Sequence, residues 1–464
     1  MTADATKIAS DVSSRKRTAT SVVEACLAHI DAHNGHLGAF THVTRERALD
    51  RAKAVDQALE LGQKVGPLAG VPFAVKNLFD VNGIPTLAGS KINQDIPAAT
   101  EDATLVSRLE AAGAILVGAL NMGEYAYDFT GENAHYGPSR NPHDPDRMTG
   151  GSSGGSGAAV ASGMVPLALG SDTNGSIRVP SSLCGLFGLK ATYGRLSRAG
   201  TFPFVASFDH VGPMARSVSD LAMSFSAMAG VDAADPVSVD AEGLPPAFET
   251  MDISGLRIAK AGGYFERQAE PQAFKAVALI CDALGVAQTL PIDHAQEARA
   301  AAYVITMAEG ASLHMDRLRD RHADYDPDVR DRLLAGAMIP GAWVTKAQKF
   351  RRFFQSKMRA VFEKTDILIA PATPCFAPKI GQKTFTLDGV EMLVRPNMGI
   401  FTQPISFLGL PVVTVPVWLE GEALPIGVQI IAAPWKEGAA LKVAQHLEQA
   451  GVVEAKVPDA YRSQ

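Results

Sequence analysis

Two hydrophobic rhythms alternate along the chain. Val22, Val23, Cys26, Leu27 and Ile30 recur at helical spacing and place one apolar stripe on a helix that Thr20 or Ser21 is positioned to cap. A second helix is predicted over 45–61, with Ala48, Leu49, Ala52, Val55 and Leu59 on one side. The pattern then changes. Residues 71–75 form a short continuous apolar run, a buried strand closed by Lys76. Helix followed by strand recurs over 103–121, with Gly113 stopping the helix and the strand at 114–117. Further helices are predicted at 216–230, 271–284, 303–320, 342–363 and 437–450. Strands are predicted at 256–261 and 366–372, with two more within 399–416 and 425–433. Strands laid down from both ends of the chain and interleaved with helices predict an α/β fold, a sheet covered by helices. The expected organisation is a single domain over 1–464. It divides into N-terminal helices at 6–61, a core at 66–225, a helical elaboration at 232–365, and C-terminal strands and helix at 366–450. The Asp-, Ala- and Pro-rich stretch 232–246 reads as a surface connection.

Composition narrows the function without naming it. Of 464 residues, 47% are hydrophobic and 20% charged, an ordinary globular balance. A net charge of −6 argues against a nucleic-acid partner, which needs a basic field. No run approaches 18 apolar residues and the first residues lack a secretory apolar segment, so no membrane span is expected and the cytoplasm is the default location. Cys26, Cys184, Cys281 and Cys375 lie far apart with no CxxC pair, so neither a disulfide framework nor a zinc site is expected. No metal or cofactor is called for.

The candidate chemistry concentrates in residues 147–193. A Gly/Ser tract at 150–157 runs into an Ala-rich segment at 158–169, and a second small-residue turn follows at 171–176. Glycine at this density lets backbone approach backbone or ligand closely. Ser152 and Ser153 stand in the first cluster and Ser176 in the second, with 24 residues separating Ser152 from Ser176. What the stretch lacks is a base. Lys76, at the end of an apolar strand, either snorkels to the surface or is held inside, where desolvation makes it a usable base. The polar, aromatic loop 121–142 carries Tyr125, Tyr127, His135, Tyr136, Arg140 and Asn141, which line a pocket mouth or order the connection. His135 reads as structural, because nothing in the sequence places a carboxylate or metal beside it. The pair Asp209-His210 invites a Ser-His-Asp reading, but sequence neighbours point their side chains apart. A phosphate-binding loop is disfavoured, since no Lys-Ser/Thr follows the glycines.

Taken together, VPFAVKN, GGSSGGSGAAVASG and SDTNGSIRVPSSLCGLFGLKATYGRLS resemble the amidase signature family, over about residues 8–450. The resemblance implies the amidase signature fold, a central mixed twisted β-sheet with helices on both faces. It also implies a catalytic group of Lys76, Ser152 in a cis peptide, and Ser176 as nucleophile, with backbone amides of Thr173, Asn174, Gly175 and Ser176 as oxyanion hole. The chemistry asks for these types. An amide is a poor electrophile, so the attacking hydroxyl must lose its proton as it attacks. A lysine serves as base only once its reference pKa of roughly 10.4 is brought down. Where this chain has Asn174, relatives often have glycine. Asp172 and Arg178 also match family positions and read as an ion pair bracing the turn.

Several longer stretches resemble one narrow branch of the family: VPFAVKNLFDVNGIPTLAGSKIN, NPHD, GTFPFVASFDHVGP and PIGVQIIAAPW. That resemblance implies deamination of 1-carboxybiuret to urea-1,3-dicarboxylate, a small anionic amide as substrate, and a homodimer of this chain joined by a small helical accessory subunit. Glutamine-using members carry an acidic residue just before the segment that here reads IFTQP, where this chain has Gly399. Losing that carboxylate suits an anionic substrate without an ammonium group. Arg351 or Arg352, with the hydroxyl of Tyr125 or Tyr136, are the candidate substrate contacts. The alternatives are the glutaminase subunit of a tRNA-dependent amidotransferase, or an amidase acting on biuret, allophanate or malonamate.

Overall fold

Strands that are buried at every position need cover on both faces, and this chain has several: Pro72–Lys76, Ile115–Leu120, Leu167–Ser171, Val412–Val417 and Ile426–Ala432. The computed structural model describes residues 3–241 and 252–462. Its centre is an 11-stranded mixed sheet. In spatial order the strands are Phe40–Val43, Ile115–Leu120, Pro72–Lys76, Leu167–Ser171, Val211–Ala215, Phe187–Lys190, Val412–Val417, Ile426–Ala432, Ile367–Pro371, Ile258–Gly262 and Thr289–Pro291. With fourteen α-helices among the described residues packed around it, this is the expected α/β fold.

The strand that ends in Lys76 runs parallel to both neighbours, pairing Val75 with Ala119 on one side and with Leu169 on the other. Lys76 therefore ends beside Ser171, which closes the neighbouring strand. The next strand, Val211–Ala215, runs antiparallel. Carboxyl ends of strands at such a change of direction are where α/β proteins place ligands.

Local chemistry explains several departures from the sequence expectations. The first long helix is Ala19–Leu37, and Thr18 caps it, its side chain accepting from Ser21 N at 3.1 Å, in place of Thr20 or Ser21. The edge strand Phe40–Val43 and the helix Pro327–Ala337 have no counterpart among the predicted elements. A four-residue edge strand is too short for alternation to show. The segment 232–365 is more than a helical elaboration. Its strands Ile258–Gly262 and Thr289–Pro291 extend the main sheet, the former pairing in parallel with Ile367–Pro371. Its helix Ala295–Arg321 begins eight residues before the predicted start at 303. The surface connection read at 232–246 lies outside the described residues from 242 on. No helix among the described residues is long and apolar enough to cross a membrane.

Candidate active site

Lys76 is fully buried, and its amine donates to Ser152 Oγ at 2.6 Å and to Ser171 Oγ at 2.8 Å. Burial lowers its pKa to about 7, although the charges of Asp209, Asp172 and Asp128 pull the other way. Of the two readings open to this lysine, the structure adopts the interior one. Ser171 is a contact that sequence reasoning missed. It follows from strand register, which no local pattern encodes.

Ser152 follows a cis peptide bond, Gly151–Ser152. The tract then becomes the helix Gly154–Ala161, buried along its whole length. Small residues make that burial feasible: a Cβ on Gly155 would come within 2.5 Å of the carbonyl oxygens of Ala39 and Asn121. Ser153 ties the tract to the sheet, its Oγ accepting from Ser171 N at 3.2 Å.

The second small-residue turn is held from behind. Arg178 and Asp172 are both fully buried and form a two-pronged ion pair, with Nε to Oδ2 and Nη2 to Oδ1 each at 2.9 Å. Burial alone would raise the Asp172 pKa, but Arg178 outweighs it and holds the group at about 2. Asp172 Oδ2 also accepts from the amides of Ile177 and Arg178. The amides of Thr173, Asn174, Gly175 and Ser176 make no hydrogen bond among the described residues. Gly175 has φ +143°, and a Cβ there would lie 2.2 Å from Thr402 Oγ1. Only glycine fits. The turn thus presents consecutive unpaired N–H donors beside Ser176.

Ser176 opens onto a small, tight cavity lined also by Thr173, Asn174, Tyr127, Asp128, Phe129, Phe204, Tyr303, Thr306, Arg332 and Gln403. Among the described residues, its one cationic lining group is Arg332. The Arg332 guanidinium lies 3.9 Å from the Tyr127 ring centre, and Nη2 donates to the Tyr127 carbonyl. Asp128, the lining carboxylate, is neutralised by Arg395 at 2.7 Å. Sequence reasoning passed over Arg332, one charge among many in DPDVRDRLLAG.

The four substrate contacts expected from sequence lie elsewhere. Tyr125 is buried among Phe202, His314 and Tyr325, and its hydroxyl donates to Asn93 at 3.0 Å. Tyr136 accepts from Gln94 at 3.0 Å and does not line the cavity. Arg351 is spent on the carbonyls of Phe407 and Ser207 while covering the Phe208 ring, and Arg352 is exposed. Helical periodicity shows that basic residues share a helix, not which of them faces a cavity formed by other segments. His135 has a partner after all, Glu124 Oε1 at 2.9 Å, yet neither residue reaches the cavity. Asp209 and His210 diverge as expected. Asp209 accepts from Thr173 Oγ1 at 2.6 Å, whereas the His210 ring faces Lys190 Nζ at 3.2 Å. The four cysteines are buried and unpaired, and no cluster among the described residues is fit to hold a metal.

Comparison with known proteins fits this arrangement. The family described as Amidase matches residues 21–441. The chain is 51% identical to AtzE, a subunit of 1-carboxybiuret hydrolase from Pseudomonas sp. (strain ADP), over 97% of this chain and 99% of that protein. It is 38% identical to the A subunit of glutamyl-tRNA(Gln) amidotransferase from Chloroflexus aurantiacus (strain ATCC 29366 / DSM 635 / J-10-fl), over 92% of each. A solved structure described as "An unexpected vestigial protein complex reveals the evolutionary origins of an s-triazine catabolic enzyme" superposes with a TM-score of 0.96 at 50% identity, covering 98% of this chain and all of that one. Fold and relatives define an amide-hydrolysing enzyme. The chain belongs to the amidase family, the amidase signature enzymes.

Proposed function

We propose that this enzyme deaminates 1-carboxybiuret to urea-1,3-dicarboxylate, releasing ammonia through an acyl-enzyme on Ser176. The observation that carries the chemistry is the buried Lys76 amine, lowered to about 7 and 2.6 Å from Ser152 Oγ. At neutral pH a large fraction of Lys76 is uncharged. Ser176 Oγ attacks the terminal amide carbon and passes its proton to Ser152, whose own proton moves to Lys76. The oxyanion accepts hydrogen bonds from the unpaired amides of the 173–176 turn. The C–N bond then breaks, the nitrogen takes the proton back through Ser152, and ammonia leaves. Water attacks the acyl-enzyme by the same relay, restoring Ser176.

The substrate assignment rests on the 51% identical relative and on the cavity. Arg332 is the lining cation and holds the substrate carboxylate. Gly399 supports an anionic substrate over glutamine: a Cβ there would lie 2.5 Å from the Phe129 ring, which walls the cavity. An acidic side chain at 399 would need that wall to move. The buried, unpaired cysteines fit a cytoplasmic enzyme. The chain works as a homodimer joined by a small helical accessory subunit. The complex described for the similar solved structure supports that reading.

Ammonia release on 1-carboxybiuret, biuret, allophanate, malonamate and glutamine tests the assignment. The highest kcat/KM is expected on 1-carboxybiuret. Glutamine turnover with none on carboxybiuret would replace it with the glutaminase reading.

A further inference from the structure

The cavity beside Ser176 keeps two buried polar atoms that the chain itself does not use. Asn174 Oδ1 and Tyr127 Oη have no hydrogen-bond partner among the described residues, and both residues line the cavity. They are only 7% and 6% exposed. Native folds pair nearly all such groups, so two unpaired atoms in one cavity call for a ligand.

Each side chain is fixed from its other end. Asn174 Nδ2 donates to Thr306 Oγ1 at 2.9 Å, on the helix Ala295–Arg321, and the Asn174 carbonyl accepts from Thr402 Oγ1 at 2.6 Å. With its N–H₂ engaged, the amide offers the cavity an acceptor. The Tyr127 ring packs against the Arg332 guanidinium and the Phe204 ring, the latter 4.8 Å away between ring centres. Burial pushes its phenol up to about 12, so it keeps its proton and offers a donor. An acceptor and a donor in one small cavity complement a planar –NH–C(=O)– unit. Asn174 and Ser176 line the same cavity, so a unit bonded to Oδ1 lies in the pocket onto which the nucleophile opens.

We propose that Asn174 Oδ1 and Tyr127 Oη form a subsite for the ureido –NH–C(=O)– unit of the substrate, Oδ1 accepting from its N–H and Oη donating to its carbonyl. This rests on the function proposed above and explains why the enzyme takes ureides. A carbon analogue such as malonamate puts CH₂ where a ureide has N–H, and leaves Oδ1 buried without a partner. Thr306 is a positioning residue, acting through Asn174.

The test is the ratio of kcat/KM on 1-carboxybiuret to kcat/KM on malonamate, measured on the assembled enzyme. Using a ratio cancels any loss common to both substrates, including damage to the backbone turn at Asn174. Asn174→Ala is expected to lower the ratio by about tenfold or more, whereas Tyr127→Phe, whose partner oxygen malonamate also carries, is expected to slow both substrates and leave the ratio near that of the wild type. Thr306→Val is expected to lower the ratio as Asn174→Ala does, and Thr306→Ser to restore it. Asn174→Ala and Thr306→Val slowing both substrates by one factor, or Tyr127→Phe slowing neither, overturns the subsite while leaving carboxybiuret hydrolysis standing. If the wild-type enzyme takes biuret and not 1-carboxybiuret, the substrate assignment falls. The ratio of biuret to malonamate then tests the subsite unchanged. A wild-type enzyme that prefers malonamate overturns it outright.

Discussion

A lysine is a base at neutral pH only when something removes its proton, and for Lys76 that agent is burial. The amine lowered to about 7 must be uncharged to accept a proton, so kcat/KM should rise with pH up to about 7 and level off above it. A flat profile between pH 5 and 9 would show that Lys76 is not the base. Lys190 is also buried and lowered to about 7, but it touches His210 and not the serines. Lys190→Met should therefore keep the acid limb that Lys76→Ala removes. Lys76→Ala should cost about 10²–10⁴ in kcat, the usual worth of a positioned base. Ser176→Ala should abolish turnover and covalent trapping with the melting temperature near that of the wild type. Residual normal turnover would remove Ser176 from the nucleophile role. All three catalytic candidates were legible in the sequence: the serines stand in small-residue tracts at a fixed spacing, and Lys76, which its strand left with two readings, is picked out by the family resemblance. Ser171, 95 residues from Lys76, was not, since only sheet register brings the two together.

The turn 172–176 depends on the buried pair behind it. Arg178 binds Asp172 twice, Gln429 at 2.7 Å and the Thr402 carbonyl at 3.0 Å. Arg178→Met leaves a buried carboxylate without its cation and should destabilise the fold by about 3–5 kcal/mol in chemical denaturation at pH 7. The sign with pH follows from Asp172. Its folded pKa, about 2, lies below the ordinary carboxylate value, so its contribution is present above about 3.8 and is lost as pH falls towards 2. The gap between wild type and Arg178→Met should narrow over that window, and a constant gap would mean that Arg178 acts through packing alone. Gly175→Ala meets both a positive φ and Thr402, so activity should fall further than stability.

At the scale of the molecule, the sheet gathers residues that the chain keeps far apart. Lys76 and Ser171 converge because the Lys76 strand pairs in parallel with Leu167–Ser171, and Ser152 joins them from the tract that Ser153 ties to Ser171. The helix Ala295–Arg321 then brings Thr306 to Asn174 across 132 residues. The proposed assembly is a prediction at this scale. Light scattering of enzyme purified from its source should give a mass above two chains of 48.9 kDa, with a second, smaller polypeptide on the gel. A single 48.9 kDa species with full activity would refute it.

By itself the sequence determined the alternation of strands and helices, the candidate serines and lysine, the braced turn and the family, because each is written in short-range pattern or in motifs that the family shares. Tertiary structure alone decided which side chains line the cavity beside Ser176. Arg332, Tyr127 and Thr306 reach the cavity while Tyr125, Tyr136, Arg351 and Arg352 do not. The direction of a side chain relative to distant segments is set by packing, and periodicity along one helix or loop carries no record of it.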